Sequence, residues 1–199
     1  MSSKKHIDVL VIGSGPGGYA AAFRAADLGR DVIIVDKDPT LGGVCLNRGC
    51  IPSKTLLHIA KVLEEADSLK KMGVSFTKPK IDIDAVRDWK SKVVTQLSGG
   101  IAQMAKARNV KTIQAEASFI SNNEVELNSE SGKQILTFDH CIIAAGSSSS
   151  AIPGIPKDNE NILTSKTALD LKKIPKKLLV IGGGYIGLEM GTVYSALGS

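Results

Sequence analysis

Ile7-Asp8-Val9-Leu10-Val11-Ile12-Gly13-Ser14-Gly15-Pro16-Gly17-Gly18 decides the fold. Its first half is a short apolar run suited to a strand buried on both faces. Its second half fits G-x-G-x-x-G and leads into Tyr19 to Leu28, a helical stretch that Gly29 ends. A second strand, Val32 to Val35, ends on Asp36, eighteen positions beyond Gly18. The first glycine permits a tight turn, the second lets a pyrophosphate approach the backbone, and the third lets helix and strand pack closely. The helix N-terminus offers free N–H groups and partial positive charge to phosphates. Asp36 can accept hydrogen bonds from ribose hydroxyls. A glycine fingerprint by itself is as readily an ordinary turn. Here strand, helix and acid all stand where the motif requires, and the dinucleotide reading prevails.

The pattern recurs. Leu178 to Ile181 reads as a strand that enters Gly182-Gly183-Gly184-Tyr185-Ile186-Gly187, followed by helix-forming Leu188 to Leu197. Between the two copies lies Gly42-Gly43-Val44-Cys45-Leu46-Asn47-Arg48-Gly49-Cys50-Ile51-Pro52-Ser53-Lys54. Five residues along a regular helix separate Cα atoms by about 8.7 Å, whereas a disulfide wants about 4.4–6.8 Å. The segment must bend if the two sulfurs are to meet, and Gly49 supplies the backbone freedom. A bond held in such a distortion is a candidate for cycling rather than stapling. Two dinucleotide sites flanking a redox-suited cysteine pair imply an electron relay. A nicotinamide accepts hydride and a dithiol gives up electrons; a flavin handles both. The earlier site is therefore expected to hold FAD and the later one a nicotinamide dinucleotide.

On these residues the chain resembles the pyridine nucleotide–disulfide oxidoreductases, most nearly the branch acting on dihydrolipoamide. GGVCLNRGCIPSK, GSGPGGYAAAFRAADLG and GGGYIGLEMGTVYSALGS carry the likeness, which spans essentially all 199 residues. The resemblance implies that Cys45 and Cys50 are the redox pair, with Cys45 exchanging with substrate and Cys50 nearer the flavin. It implies that Lys54, paired with Glu189, stands by the flavin's reactive edge. A buried lysine keeps its charge only beside a compensating partner, and such a cation lowers a thiol's pKa. The implied FAD set is Gly13, Ser14, Gly15, Pro16, Gly18, Asp36, Lys37, Gly42, Gly43, Val44, Cys45, Lys54, Ala117, Ala145, Gly146 and Ser147. Asp36 stands where the family usually has Glu, Ala117 where it commonly has Gly, and Ser148-Ser149 where it has Arg-Pro. The implied NAD set is Gly182, Gly183, Gly184, Tyr185, Ile186 and Gly187. The activity implied is oxidation of protein-bound dihydrolipoamide through the disulfide and FAD to NAD by a homodimer. Its partners would be lipoyl-bearing proteins of the 2-oxo acid dehydrogenase or glycine cleavage complexes. Rival readings are a mercuric or glutathione-type reductase, or a non-catalytic FAD-binding fragment.

Other residues read more plainly. Two cysteines with His58 could begin a zinc site, but no second cysteine pair accompanies them, and no metal is expected. Cys141 reads as a buried core thiol in a strand. His6 and His140 flank strands on the surface, and His58 belongs to a helix over Lys54 to Met72. Gly99-Gly100 interrupts a helical segment over Asp82 to Arg108 and suggests a kink. The lysine-rich Lys172 to Lys177 reads as a solvated connector.

Hydrophobic content of 43% suits a globular chain, and a net charge of +5 is mild and interspersed. That balance suits polyanionic cofactors more than nucleic acid, which is not expected as a partner. Met1 to His6 is polar, and no run reaches a transmembrane length, so neither signal peptide nor membrane partner is expected. Three cysteines in such a chain favour catalytic thiol chemistry in the cytoplasm, or in an organelle matrix. The expected architecture is α/β: a doubly wound FAD-binding domain with a short antiparallel β segment (1–147), a linker (148–156), and the opening βα unit of an NAD-binding domain (157–199). Turns are expected at Asn122-Asn123 and Ser131-Gly132, and a separate strand over 141–145 rejoins the parallel sheet. The family's NAD/NADP selector and its C-terminal His-Glu pair, donated by a partner subunit, would lie past Ser199, so the chain reads as a fragment.

Overall fold

A computed structural model describes residues 5–150, 152–156 and 159–199, in two compact units. The first unit comprises Met1–Asn47 and Gln96–Ser147. Strand β1 (Lys5–Ile12) enters helix α1 (Pro16–Asp27), which returns as β2 (Val32–Asp36). Short strands β3 (Lys111–Gln114), β4 (Glu116–Ser121), β5 (Glu124–Ser129) and the long β6 (Gly132–Ile143) complete one six-stranded sheet in the order β3-β2-β1-β6-β5-β4. β3, β2, β1 and β6 run parallel, with Val9 opposite Val32 and Leu10 opposite Cys141. β4, β5 and the start of β6 form the antiparallel edge. Leu10, Val11 and Ile33 are fully buried, as strands covered on both faces must be. Ile7, Leu10, Val35, Val125, Leu127, Leu136 and Phe138 share one core, each contributing roughly 1.5–3 kcal/mol through burial.

In the first unit two details differ from the sequence reading. The strand expected over 141–145 is the end of β6, which serves β5 with its first half and β1 with its second. Length explains it: twelve residues reach past the antiparallel edge into the parallel sheet. Ala144 and Ala145 lie just beyond, with the Ala144 amide donating to the Ile12 carbonyl at 2.8 Å. His6 and His140 lie inside β1 and β6 rather than beside them, although both are exposed. The His6 ring meets Thr137 Oγ1 at 3.0 Å and Asp139 at 3.4 Å.

The second unit comprises Arg48–Thr95 and Ser148–Ser199. It holds α3 (Cys50–Ser68) with a closing 3-10 turn (Leu69–Met72), the first half of α4 (Ile83–Ala107), the short α5 (Ser165–Leu169) and α6 (Tyr185–Ala196). Leu56, Leu169, Leu171, Met190, Val193 and Tyr194 form its core. Helix α4 runs unbroken through Gly99-Gly100. Each glycine costs about 1 kcal/mol there, offset by burial of Ile101 beside them and Ala105 one turn further on.

Four consecutive carbonyls at the end of α5 are each taken by a side chain from another helix. Tyr194 Oη donates to the Ala168 oxygen at 2.7 Å, and Lys90 Nζ to that of Leu169 at 2.6 Å. Arg87 Nε donates to Asp170 O at 3.1 Å and Nη2 to Leu171 O at 2.9 Å. This arrangement holds Leu171 at φ +47°, a left-handed conformation costing about 1–2 kcal/mol for a side-chain-bearing residue. Thr164 caps the other end of α5 in a capping box with Thr167.

The strand expected over Leu178 to Ile181 does not form. No strand among the described residues pairs with it, so its backbone makes no ladder bonds. Leu179 is 84% and Ile181 68% exposed. No helix among the described residues is long and apolar enough to cross a membrane.

Substituting Gly18 with Ala is expected to lower unfolding free energy by about 3 kcal/mol or more, because the added Cβ would sit 1.8 Å from the Gly13 carbonyl oxygen. Gly17→Ala, whose Cβ meets nothing closer than 4.0 Å, should be neutral or stabilising by up to about 1 kcal/mol; urea unfolding of both chains checks the contrast. Burial pushes the Lys90 ammonium below its ordinary pKa, opposed by Asp170 and helped by Arg87. Between that lowered value and about 10.4 the unfolded chain binds more protons, so this lysine's contribution to stability rises with pH. Unfolding free energies measured from pH 7 to 10 should therefore climb less in K90M than in the parent.

Candidate dinucleotide and redox site

The turn after β1 is built by backbone contact. Gly13 lies at φ +101°, and a Cβ there would stand 2.2 Å from the Ala144 carbonyl oxygen on the neighbouring chain segment. Its amide donates to the Val35 carbonyl at 2.8 Å, tying the turn to β2. Gly15 caps α1 with no side chain, and Pro16 opens the helix where no amide is required. The first-turn amides are thus left with no side-chain cap. Helix α2 (Gly43–Arg48) starts against the same turn: Gly42 N donates to Ser14 O at 2.9 Å, and a Cβ on Gly43 would lie 2.6 Å from the Gly15 Cα.

Asp36, at the end of β2, closes this end of the sheet. Its Oδ2 accepts from the amide of Ser14 at 2.7 Å and from its hydroxyl at 2.6 Å, and Oδ1 accepts from Asp38 N at 2.9 Å. Ser14 is fully buried. Gln114 reaches the Lys37 carbonyl at 3.3 Å. Gly13, Ser14, Gly15, Pro16, Gly18, Asp36, Gly42 and Gly43 are therefore brought together around one turn. Ala145, Gly146 and Ser147 follow directly from Ala144, exposed and outside any strand. Ala117, by contrast, sits in β4 opposite Leu127 with its side chain against the core. A side-chain-free helix start, a backbone cradle that a Cβ would fill and an acid at the β2 end fit a dinucleotide pyrophosphate and ribose. FAD would be held here by the glycine turn and Asp36.

Cys45 and Cys50 are joined by a disulfide. Cys45 lies within α2 and Cys50 opens α3; the break between them is Gly49, at φ −145° and ψ −109°. The expected bend is thus a helix-to-helix corner, so α3 starts at Cys50, four residues before the expected Lys54. Val44 and Cys50 are exposed and Cys45 half-buried. Cys50 stands at the N-terminus of α3, where a thiolate is favoured. Lys54 is one turn along the same helix, on the Cys50 side. Cys141 is free and packed beside the core, where burial pushes its thiol pKa up.

Within the second unit, Lys54 Nζ lies 3.6 Å from Glu189 Oε1 on α6. The pairing expected for these two residues is present. One partner escaped the sequence reading. Ser53 donates its hydroxyl to Glu189 Oε2. Nothing in the local sequence marks it, because the acceptor is 136 positions away.

The second glycine turn repeats the first in its own geometry. Gly182 lies at φ +104° and a Cβ on Gly187 would stand 2.9 Å from the Gly182 carbonyl oxygen. Gly184 caps α6 without a side chain, leaving Gly183, Tyr185 and Ile186 around a bare helix start. A Cβ on Gly182 meets nothing within 4 Å, where Gly13 meets Ala144. The turn suits a second pyrophosphate, while the strand that should carry it is unpaired.

Fold and site together define a Rossmann-like α/β chain that carries a disulfide beside a glycine turn. The chain belongs to the pyridine nucleotide-disulphide oxidoreductase family, whose profile matches residues 7–199; that family and its dihydrolipoyl dehydrogenases use FAD and NAD. It is 54% identical over 199 residues to the dihydrolipoyl dehydrogenase of Vibrio cholerae, covering all of this chain and 42% of the relative. It is 52% identical to that of Haemophilus influenzae, with the same shares covered, and 48% to that of Bacillus subtilis, over 96% of this chain and 40% of the relative. Among solved structures it is similar to the HOCl-induced flavoprotein disulfide reductase RclA of Escherichia coli, with TM-score 0.81 and 27% identity over 96% of this chain and 40% of that one. The chain thus spans about two fifths of the length of the relatives it matches.

Removing the Asp36 carboxylate strands the buried Ser14 hydroxyl and amide. D36A is expected to lose about 2–3 kcal/mol of stability without any cofactor added. D36N keeps an oxygen for the same donors and should lose less than half as much in the same urea titration.

Proposed function

We propose that the chain is the FAD-binding and redox-disulfide portion of an enzyme that oxidises protein-bound dihydrolipoamide, with NAD as final acceptor. The observation that carries this reading is the Cys45–Cys50 disulfide across a helix corner, in a chain about half identical to dihydrolipoyl dehydrogenases. In this reading residues 1–147 form the FAD domain, 148–156 the linker and 157–199 the opening of the NAD domain. The glycine turn at Gly13–Gly18 and Asp36 hold FAD, together with Lys37, Gly42, Gly43, Val44, Ala117 and Ala145–Ser147. Gly182–Gly187 takes NAD.

A substrate thiolate attacks Cys45 Sγ, forms a mixed disulfide and expels Cys50 as thiolate. The second substrate thiol then displaces Cys45, leaving oxidised lipoamide and the reduced protein pair, on which the substrate's two protons now sit as two thiols. The α3 N-terminus and the Lys54 ammonium stabilise Cys50 as the leaving thiolate, and Glu189 holds Lys54 in place. FAD, when bound, supplies the chemistry that takes the electron pair from the dithiol and delivers hydride to NAD. Lipoyl-bearing proteins of 2-oxo acid dehydrogenase or glycine cleavage complexes are the partners, the whole enzyme is a homodimer, and the setting is cytoplasm or organelle matrix.

A second reading is favoured by one observation, the unpaired Leu178–Ile181. By it this chain binds FAD and accepts electrons but does not turn over alone. Reconstitution with FAD separates the two. Visible absorbance bleached by dihydrolipoamide in the parent, and not in C45S or C50S, is the expected result for both readings. Sustained NADH production distinguishes the first from the second. Protein that stays colourless with excess FAD would sink both.

A further inference from the structure

Ser53 is 3% exposed, on the first turn of α3. A serine in such a position ordinarily bonds back to the carbonyl four residues earlier. Thr55, two residues on, does this, donating to Ile51 O at 2.8 Å. Ser53 does not: its amide donates to the Gly49 carbonyl at 3.0 Å, while its hydroxyl crosses to Glu189 Oε2 on α6. The other carboxylate oxygen faces Lys54. Lys54 is 66% and Glu189 24% exposed. An ion pair so open to solvent fixes little by itself, since screening and side-chain entropy nearly cancel its attraction. The buried hydroxyl is the anchor that the pair otherwise lacks.

We propose that Ser53 is a positioning residue: it fixes the Glu189 carboxylate so that its free oxygen keeps Lys54 beside Cys50. The proposal rests on the reading that Cys50 works as a thiolate in dithiol exchange. Its route is short, because Cys50, Ser53 and Lys54 share one helix and Glu189 is the only residue of α6 needed. Loss of the hydroxyl frees the carboxylate to rotate, lets the ammonium wander from the sulfur and makes Cys50 a poorer thiolate.

The test reads the sulfur directly and needs neither flavin nor turnover, so it is independent of whether the dehydrogenase reading holds. In a C45S/C141A background, where Cys50 is the one remaining cysteine, its alkylation by iodoacetamide is followed from pH 5 to 10. S53A should slow the reaction at pH 7 about three- to tenfold and move its pH midpoint up, while S53T, which keeps the hydroxyl, should stay close to the parent. In an E189Q background S53A should add no further loss. His58 and Tyr185, one helical turn from the pair, and Arg48 ahead of Gly49 are unchanged in every variant, so the differences report the hydroxyl. Equal rates in S53A and S53T overturn the proposal, as does a loss that persists unchanged with E189Q. An S53A chain that fails to fold beside an S53T chain that folds also overturns it, for the hydroxyl would then be holding helices rather than the acid.

Discussion

Backbone meets backbone at the end of β1, and the rest of the first unit is arranged around that contact. Gly13 leaves no space between itself and the Ala144 carbonyl, and Gly18 leaves none between itself and Gly13. Strand, turn and helix therefore close on one another without a side chain intervening. Close packing of this kind fixes α1 over the sheet and leaves its first amides open at the point where β1 and β2 end. Gly43, pressed on Gly15, then sets the start of α2 and with it the approach to Cys45. One steric constraint thus places both the first glycine turn and the first sulfur.

Most of this was legible because it is local. The run Ile7 to Ile12, the glycine spacing and Asp36 all act within one βαβ stretch, and periodicity reports such stretches well. The corner at Gly49 was equally readable, since helical geometry forbids two bonded sulfurs five residues apart without it. What escaped was non-local. Ser53 finds its acceptor on a helix far along the chain, and Ala144 lends a carbonyl rather than a recognisable side chain. The merging of 132–143 into one strand with two kinds of neighbour was hidden for the same reason: sequence pattern gives a strand but not its partners.

The second glycine turn makes the same point from the other side. Leu178 to Ile181 has the apolar pattern of a central strand, yet extended backbone becomes sheet only when another strand supplies its hydrogen bonds. The turn and α6 form without it because their bonds are internal. Gly182 and Gly187 meet the local demands of the motif, and the open space around Gly182 marks where a neighbour would sit in the first copy. Local instructions survive alone; those that depend on a neighbouring strand do not.

The row of carbonyls from Ala168 to Leu171 has a consequence for how the second unit opens. Its bonds run to Arg87 and Lys90 on α4 and to Tyr194 on α6, so α5 cannot fray by itself. Releasing it exposes four acceptors and lets go of two other helices at once. Residues 165–171 should consequently exchange their amide hydrogens in step with α6 and the front of α4, as one cooperative element, although α5 itself is only five residues long.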